Sequence, residues 1–174
     1  MSALVVQRIG PAVTVQDAGW SGTLASGLSR GGAADTRALA EAWALLGQSD
    51  VAVLEMAGMG GRFIAEAALR ISLTGAQMQA TLDGAALHWG AVHRVEAGQV
   101  LEIGAAMSGV YGYLGVGGGF DVPRFMGSAS THRASGLGQV VKIGDRLRVG
   151  ADAHADRVGL SLPKTAARSG VIRV

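Results

Sequence analysis

The sequence predicts a mainly β domain with one long helix near its N-terminus. First, 28 glycines punctuate the 174 residues, which favours many short strands and frequent turns over a helix bundle. Second, hydrophobic residues make up 49% of the chain and aromatic residues only 5%, so Val, Leu, Ile and Met must fill a core that a chain of this length can bury. Third, one segment carries helical periodicity.

The first two strands are predicted at Leu4–Ile9 and Ala12–Val15, with the turn pair Gly10-Pro11 between them. A loop rich in glycine and serine follows, GWSGTLASGLSRGGAA. An amphipathic helix is then predicted, with Asp35 as its N-cap and Gly47 at its end. Its apolar stripe has i, i+3, i+4, i+7 spacing and consists of Leu39, Ala42, Trp43 and Leu46.

Beyond the helix, short β-prone runs separated by glycine have the spacing of a barrel or sandwich. The runs are AVLEMA, GRFIA, ALRISLTG, MQATL, AALHW, VHRVEAG, VLEIG and VYGYLGV. Asp83-Gly84 predicts a type I′ hairpin, and a last strand is predicted at Arg146–Val149 after the turn Gly144-Asp145. We therefore expect one domain over residues 1–150. Residues 151–174 lack apolar periodicity and are interpreted as a linker or tail.

Composition and charge exclude several classes of protein. The net charge of +2 comes from arginines spread along the chain, which argues against a nucleic-acid-binding stripe. Apolar stretches are interrupted well before the roughly 18 residues that a membrane span requires. The chain has no cysteine, and Gln7 and Arg8 interrupt the first apolar run, so we expect a cytoplasmic protein without a secretory leader.

The glycine cluster in YLGVGGGFDVP does not match known nucleotide-binding loops. Phe120 stands where the dinucleotide fingerprint needs its last glycine, and no βαβ unit surrounds it. A classical P-loop is excluded because no Gly-Lys pair occurs in the sequence. The favoured interpretation is that Gly117–Gly119 form a bend at the end of a strand, with direct ligand contact as the alternative.

Two other patterns have weak functional meaning. Ser29 lies in GLSRG, which formally matches the nucleophile-elbow pattern. Its flanks are predicted loop, whereas the elbow needs a strand and a helix, so the match is interpreted as accidental. His88 and His93 lie near one predicted hairpin, but no further ligands complete a metal site.

Three polar features are candidates for function. Glu55 interrupts an apolar run, where it either pairs with an arginine or faces a cleft. Asp17 follows a strand and precedes the glycine-rich loop, where it either caps loop amides or reaches a ligand. The loop Gly127–His132 holds three hydroxyls and an imidazole. These groups either donate to a carboxylate or phosphate or form an ST-turn with an exposed histidine.

Seven motifs occur in a characteristic order along the chain: TVQDAG, GLSRGGAAD, VLEMAGMGGRF, LTGAQ, TLDGAAL, YLGVGGGFDVP and MGSASTH. Their order resembles the KipA-like family, also known as the biotin-dependent carboxyltransferase-like or allophanate hydrolase subunit 2 family. That family includes the C subunit of bacterial ATP-dependent 5-oxoprolinase. The motifs match in register from Thr14 to Leu147 and correspond to the N-terminal half of family chains, which usually carry a second, similar half.

The resemblance implies a cyclophilin-like β-barrel in an ATP-dependent 5-oxoprolinase-type complex that hydrolyses an amide or lactam. It implies ATP as cofactor, and two partner proteins, one KipI-like and one LamB/YcsF-like. The second half that family chains usually carry would come from a missing C-terminal half or from a homo-oligomer. We expect Asp17 and Glu55 to be catalytic candidates that position water. The expected substrate-binding residues in a shared cleft are Gln16, Gly32, Asp35, Asp121, Ser128, Ser130, Thr131 and His132.

The sequence departs from the family pattern in ways that leave alternatives open. Trp20 and Ala129 stand where family members usually have arginine, which binds phosphate or carboxylate bidentately. The GGxxGR segment is shortened to GLGQVVKIGD. One alternative is a non-catalytic KipA-like regulatory module that binds a KipI-like inhibitor. Another is the carboxyltransferase part of a urea carboxylase or allophanate hydrolase system, whose biotin would lie on another polypeptide because this chain has no Met-Lys-Met site.

Overall fold

The computed structural model describes residues 2–163. Within that range nine strands form one sheet, and a single α-helix, α1, spans Thr36–Leu46. The strands are β1 (Ala3–Ile9), β2 (Val13–Gln16), β3 (Val53–Ala57), β4 (Gly61–Ala65), β5 (Leu69–Leu82), β6 (Ala85–Ala86), β7 (Ala91–Val95), β8 (Val100–Val116) and β9 (Arg146–Arg148). The predicted mainly β class with one helix near the N-terminus is confirmed.

All strand pairs are antiparallel, and the sheet order is β2-β3-β8-β4-β1-β9 with β5 joining β6, β7 and β8. Strand β8 is central, because β5 lies along one of its edges while β4 and β3 share the other. The sheet curls into a half-barrel around the main core. That core includes Leu4, Val6, Leu54, Met56, Phe63, Ile71, Leu73, Leu101, Leu114 and Val116.

Strands β5 and β8 are longer than the sequence predicts. The runs ALRISLTG and MQATL join in β5, and VLEIG and VYGYLGV join in β8. Gly75 and Gly109 have φ of +74° and +80°, and both lie where the register between β5 and β8 is irregular. These glycines therefore form bulges instead of turns. The predicted strand AALHW is wrong beyond Ala85–Ala86.

The predicted helix ends and hairpin are confirmed. Asp35 accepts a hydrogen bond from Ala38 N at 3.0 Å, and Gly47 ends α1 with φ of +70°. Asp83 and Gly84 have φ of +49° and +85° between β5 and β6, as a type I′ turn requires. The last strand also forms, as β9.

The glycine cluster forms the predicted bend. Strand β8 ends at Val116, after which Gly118 and Gly119 have φ of +86° and +71°. Gly119 N donates to Val116 O at 2.9 Å. The strand-end interpretation of the cluster is therefore confirmed.

Helix α1 covers the face of the sheet opposite the main core. Thr74 Oγ1 donates to Ala38 O at 2.8 Å, and Ser72 Oγ donates to Ala42 O at 3.3 Å. Both side chains are buried. The helix is thus hydrogen-bonded directly to β5, and the loop before it lies over the neighbouring strands.

The described part of the expected tail, residues 151–163, contacts the domain. Val92 N donates to Leu160 O at 2.8 Å, and Leu162 N donates to Gly90 O at 2.7 Å. Leu162 also packs on a cluster of Leu45, Leu46 and Val92. The rest of the expected tail, residues 164–174, lies outside the described residues. No helix within residues 2–163 is long and apolar enough to cross a membrane.

Candidate functional site

Strand pairing places four polar side chains in one row across the sheet. Thr14 of β2 faces Glu55 of β3, Glu55 faces Tyr113 of β8, and Tyr113 faces Thr74 of β5. Cross-strand partners share a face of the sheet, and Thr74 donates to α1. This polar row therefore lies on the helix-covered face, and Glu55 is part of it.

Glu55 is only 8% exposed, and its two oxygens have different surroundings. Oε2 accepts hydrogen bonds from Tyr113 Oη and Ala34 N, both at 2.7 Å. Oε1 accepts no hydrogen bond from residues 2–163, and no arginine of that range pairs with the carboxylate. Glu55 thus has one oxygen fixed by neutral donors and one that remains available to a further donor.

Tyr113 connects Glu55 to the start of α1. Its hydroxyl donates to Glu55 and accepts from Asp35 N at 2.7 Å. Burial raises the pKa of Tyr113, and the hydrogen bond to Glu55 raises it further, so the hydroxyl remains a donor. The Asp35 carboxylate caps the helix. This residue, which was expected to bind substrate, therefore makes a structural contact.

Asp17 is 2% exposed and is surrounded by hydrogen-bond donors. We call Asp17 and its donors the Asp17 cluster. Oδ1 accepts from Ser128 Oγ (2.6 Å), Ser130 Oγ (2.6 Å) and Gly19 N (2.8 Å), and Oδ2 accepts from Ala129 N (2.7 Å) and, at 3.4 Å, Arg124 Nη1. Asp17 therefore ties the loop after β2 to the loop 124–131.

The net effect of this environment is to lower the pKa of Asp17. Burial of the carboxyl group raises the pKa, but the hydrogen bonds from Ser128, Ser130 and the amides of Ala129 and Gly19 outweigh burial. Asp17 is therefore ionised at neutral pH.

The loop hydroxyls expected to hold an anion donate within the protein. Ser128 and Ser130 donate to Asp17, and Thr131 Oγ1 donates to Gln139 O at 2.9 Å. Their role in holding substrate stays a prediction. To donate to a substrate, each hydroxyl would have to leave its present acceptor.

One loop joins the Asp17 cluster to Glu55. Ala33 N donates to Asp17 O at 3.0 Å, and the next amide, that of Ala34, donates to Glu55. Gly32 precedes them with φ of +81°, and a Cβ there would lie 2.8 Å from the Ala18 carbonyl oxygen. The close approach requires glycine at this position.

Two expected site residues have distinct positions. Gln16 Nε2 donates to Thr14 Oγ1 and Thr131 O, both at 3.1 Å, while its buried Oε1 has no partner within residues 2–163. Asp121 forms an exposed ion pair with Arg148 at 3.4 Å and lines the same surface cavity as Arg124.

His132 lies beside the Asp17 cluster. Its Nε2 is 2.7 Å from Ser29 Oγ, and its ring meets Trp20 edge-on, with centroids 6.1 Å apart. Nδ1 accepts from Ser135 N at 3.2 Å and caps a short 3-10 helix, Arg133–Ser135. The imidazole thus holds two loops together.

Sequence reasoning missed Tyr113 and Arg124 and set Ser29 aside. Tyr113 lies opposite Glu55, so alternation in the run VYGYLGV would have placed its hydroxyl beside the carboxylate had the pairing been known. Arg124 donates to Gly127 O at 2.8 Å and Asp50 O at 2.7 Å. No sequence signal separated it from the other arginines.

The two positions that depart from the family pattern are both buried. Trp20 is 2% exposed and donates from Nε1 to Phe125 O at 2.7 Å. Ala129 is 3% exposed and belongs to the main core. Within residues 2–163, no group of three or more histidine and carboxylate side chains is placed to hold a metal ion.

The domain is thus a β half-barrel covered by one helix, and one loop joins its two buried carboxylates. A family model described as carboxyltransferase domain, subdomain A and B, matches residues 26–173. The chain belongs to this family, which confirms the resemblance read from its motifs.

Individual relatives refine the comparison. The chain is 38% identical to the C subunit of 5-oxoprolinase from Escherichia coli over 152 residues, 84% of this chain and 49% of the relative. It is 40% identical over 81 residues to urea amidolyase from Saccharomyces cerevisiae, covering 44% of this chain and 4% of the relative. The crystal structure of TTHA0988 superposes with a TM-score of 0.89 at 30% identity, covering 95% of this chain and 34% of that one. The chain spans about half the length of the 5-oxoprolinase relatives that it matches, 49% and 47%.

Proposed function

We propose that this chain corresponds to the N-terminal half of the C subunit of a 5-oxoprolinase-type enzyme, an ATP-dependent complex that hydrolyses a cyclic amide. The observation that carries the proposal is the 38% identity to the C subunit of 5-oxoprolinase over 84% of the chain. The proposal includes a KipI-like partner, a LamB/YcsF-like partner, and either a separate C-terminal half or a second copy. It also includes ATP as a substrate of the complex, a cyclophilin-like form for the barrel, and a cytoplasmic location.

Glu55 is the best-placed general base for this chemistry. ATP would phosphorylate the lactam oxygen and release ADP. Water would then add to the carbonyl carbon, the ring C–N bond would break with a proton passing to the nitrogen, and phosphate would leave as the carboxylate forms. A carboxylate that positions the water must have a free oxygen, and Oε1 of Glu55 meets that condition whereas both oxygens of Asp17 are occupied. General base catalysis typically contributes about 10²- to 10⁴-fold in rate.

Asp17 fits the role of a positioning residue. Its hydrogen bonds hold the loop 124–131 against the loop after β2, and its carbonyl binds the loop that fixes Glu55. A substitution of Asp17 would keep its carbonyl bond to Ala33 N but would release the loop after β2 from the loop 124–131, and so would loosen the support of Glu55 indirectly. The two catalytic candidates therefore receive different proposed roles.

Reconstitution tests the proposal. The chain is mixed with candidate KipI-like and LamB/YcsF-like partners and the C-terminal half of a relative, and ATP hydrolysis that depends on 5-oxoproline is measured. We expect turnover only when this chain is present. A mixture that is active with the full-length protein of a relative but inactive with this chain would contradict the proposal.

A second candidate is a carboxyltransferase that acts on a urea-type substrate with biotin carried by another polypeptide. The similarity to urea amidolyase favours it. Biotin-dependent carboxylation of urea by a reconstituted mixture, without 5-oxoproline-dependent ATP hydrolysis, would support this candidate.

A non-catalytic regulatory module is a third candidate. Buried Trp20 and Ala129 at positions where family members usually have arginine favour it. Stable binding to a KipI-like protein without either turnover would support it.

A further inference from the structure

The two loops that supply the donors of the Asp17 cluster lie against each other and carry a net positive charge. We call residues 18–34 and 122–144 together the basic face. The loops meet where Ser29 contacts His132 and where Trp20 donates to Phe125 O. The charged residues inside the two segments are Arg30, Arg124, Arg133 and Lys142, and an aspartate borders each end of both segments, Asp17, Asp35, Asp121 and Asp145. An anion is therefore favoured only where arginines lie without a carboxylate partner.

Two of these arginines are not neutralised by the protein. Arg30 and Arg133 are exposed, and neither forms an ion pair with a carboxylate of residues 2–163. Each is next in the sequence to a residue of the contact between the loops, because Arg30 follows Ser29 and Arg133 follows His132. Their charges therefore remain available to a ligand at that contact.

Hydrogen bonding indicates the tautomer of His132. Ser135 N can only donate, and it donates to His132 Nδ1 at 3.2 Å. Ser135 Oγ also lies against Nδ1 and can donate its hydroxyl proton there, so Nδ1 is assigned as an acceptor. In a neutral imidazole the proton then lies on Nε2. Nε2 therefore donates to Ser29 Oγ at 2.7 Å. This direction is the opposite of that in a catalytic Ser-His pair, where the imidazole accepts the hydroxyl proton.

The hydroxyl proton of Ser29 is consequently free to donate. Ser29 is exposed, and its oxygen already accepts from His132, so its own proton has no acceptor within residues 2–163. The amide of Gly31 is also without an acceptor in that range. Gly31 lies next to His132, because a Cβ on it would be 3.1 Å from the imidazole. Two neutral donors thus lie beside His132, in segments that also carry Arg30 and Arg133.

We propose that Ser29 and the Gly31 amide, with the charges of Arg30 and Arg133, bind an oxyanion, either a carboxylate or a phosphate. Ser29 is better placed for this role than Ser128, Ser130 and Thr131, because its hydroxyl is free whereas theirs are engaged. Where the oxyanion is the carboxylate of 5-oxoproline, the inference rests on the proposed function. Where it is a phosphate, the site is independent of that substrate.

Amide NMR titrations of the full chain test the site with three separate ligands. The ligands are 5-oxoproline, 2-pyrrolidinone, which has the same ring without a carboxylate, and inorganic phosphate, all at constant ionic strength set with sodium chloride. The readouts are shifts of the amides of Ser29–Gly32 and His132–Ser135, together with the imidazole nitrogen shifts that report the His132 tautomer. We expect an Nε2–H imidazole and shifts with at least one of the two anions but not with 2-pyrrolidinone.

Ser29→Ala is the test variant and Ser26→Ala its control. Ser26 is an exposed serine of the same loop, and its hydroxyl makes no hydrogen bond within residues 2–163. We expect Ser29→Ala to weaken anion binding about tenfold, as loss of a hydrogen bond to a charged group does, and Ser26→Ala to leave it unchanged. Melting temperatures of both variants check that the fold is intact.

The outcomes separate this inference from the proposed function. Binding of 5-oxoproline that Ser29→Ala weakens supports the site with a substrate carboxylate. Phosphate binding alone, weakened in the same way, supports the site and counts against 5-oxoproline as its ligand. Absence of shifts with both anions, an Nδ1–H imidazole, or equal binding by Ser29→Ala and the wild type would overturn the inference, whatever the reconstituted complex does with ATP.

Discussion

Asp17 and Glu55 are both buried carboxylates, yet the donors around them differ in number and kind. Asp17 accepts from two hydroxyls and two amides at 2.6 to 2.8 Å, with an arginine at 3.4 Å. Glu55 accepts from one hydroxyl and one amide, both on the same oxygen. A saturated carboxylate stabilises the fold and a partly engaged one can take part in chemistry, so we propose the chemical role for Glu55.

Asp17→Asn should destabilise the protein by about 2 to 3 kcal/mol, because hydrogen bonds to a charged group are lost and a buried amide is left facing other donors. The pKa of Asp17 is lowered in the folded protein, so its stabilising contribution is present above the unfolded pKa of about 3.9 and is lost as pH falls through the folded value. The measurement is the free energy of unfolding in urea at a series of pH values between about 3 and 7.

The wild type should lose stability towards acid more steeply than Asp17→Asn, so the difference between them should shrink below about pH 4. Asp156→Asn, which changes an exposed carboxylate, serves as the control and should follow the wild type. Equal stability of Asp17→Asn and the wild type at pH 7 would show that the Asp17 cluster does not hold the loops together.

At the scale of elements, the bend after β8 shows how a glycine cluster can serve packing instead of phosphate binding. A Cβ at Gly118 would lie 2.4 Å from Gly150 O, and one at Gly119 would lie 2.5 Å from Val51. Gly118 N donates to Gln48 Oε1 at 2.8 Å. The bend therefore brings the end of β8 against residues from two other segments, and no side chain fits between them.

Gly118→Ala and Gly84→Ala separate backbone strain from steric overlap. Their φ angles are nearly equal, +86° and +85°, but a Cβ at Gly84 meets nothing within 4 Å. Both variants should lose about 1 kcal/mol from the left-handed backbone. Gly118→Ala should lose about 1 to 3 kcal/mol more from overlap.

The measurement for this pair is the free energy of unfolding in urea. Equal losses for the two variants would mean that the backbone around Gly150 yields, and the packing explanation of the bend would fail. Both variants are measured without nucleotide, so either result concerns packing alone.

At the scale of the whole molecule, Arg70 and Asp152 join the last described segment to the half-barrel. Arg70 is 2% exposed, and it binds both oxygens of Asp152 at 2.7 Å. It also donates to Arg157 O and Leu46 O. A single buried guanidinium thus connects β5, the end of α1 and the segment 151–163, which the sequence suggested to be a linker or tail.

Asp152→Ala should destabilise the protein by about 3 kcal/mol, because it leaves a buried guanidinium without its counter-charge. It should also speed hydrogen exchange of the amides of Val92 and Leu162, which bond across this segment. Glu96→Ala breaks an exposed pair with Arg94 and should cost less than about 1 kcal/mol. Similar losses for the two variants would contradict an anchoring role for Arg70.

Local signals in the sequence predicted the features that depend on a few neighbouring residues. Asp35 and Gly47 delimit α1, and Asp83-Gly84 forms the hairpin, because capping and turn geometry are decided within a few positions. The same local reasoning failed at Gly75 and Gly109. A glycine with positive φ fits a turn and a bulge equally well, and only strand pairing decides between them.

The candidate site depends on contacts between distant parts of the chain, which local patterns do not reveal. Glu55 and Tyr113 are 58 positions apart, and Ser29 and His132 are 103 apart. Motif resemblance made Asp17 and Glu55 catalytic candidates but could not show which had a free oxygen. That distinction required the register of the sheet and the path of the loop before α1.

The most direct test of the central claim is the effect of Glu55→Gln on 5-oxoproline-dependent ATP hydrolysis by the reconstituted complex. The Gln oxygen can still accept from Tyr113 and Ala34, so the fold should persist, while the loss of a general base should lower kcat at least about 100-fold. Glu102→Gln, at an exposed ion pair with Arg8, should retain activity. A folded Glu55→Gln chain that supports wild-type turnover would contradict the account.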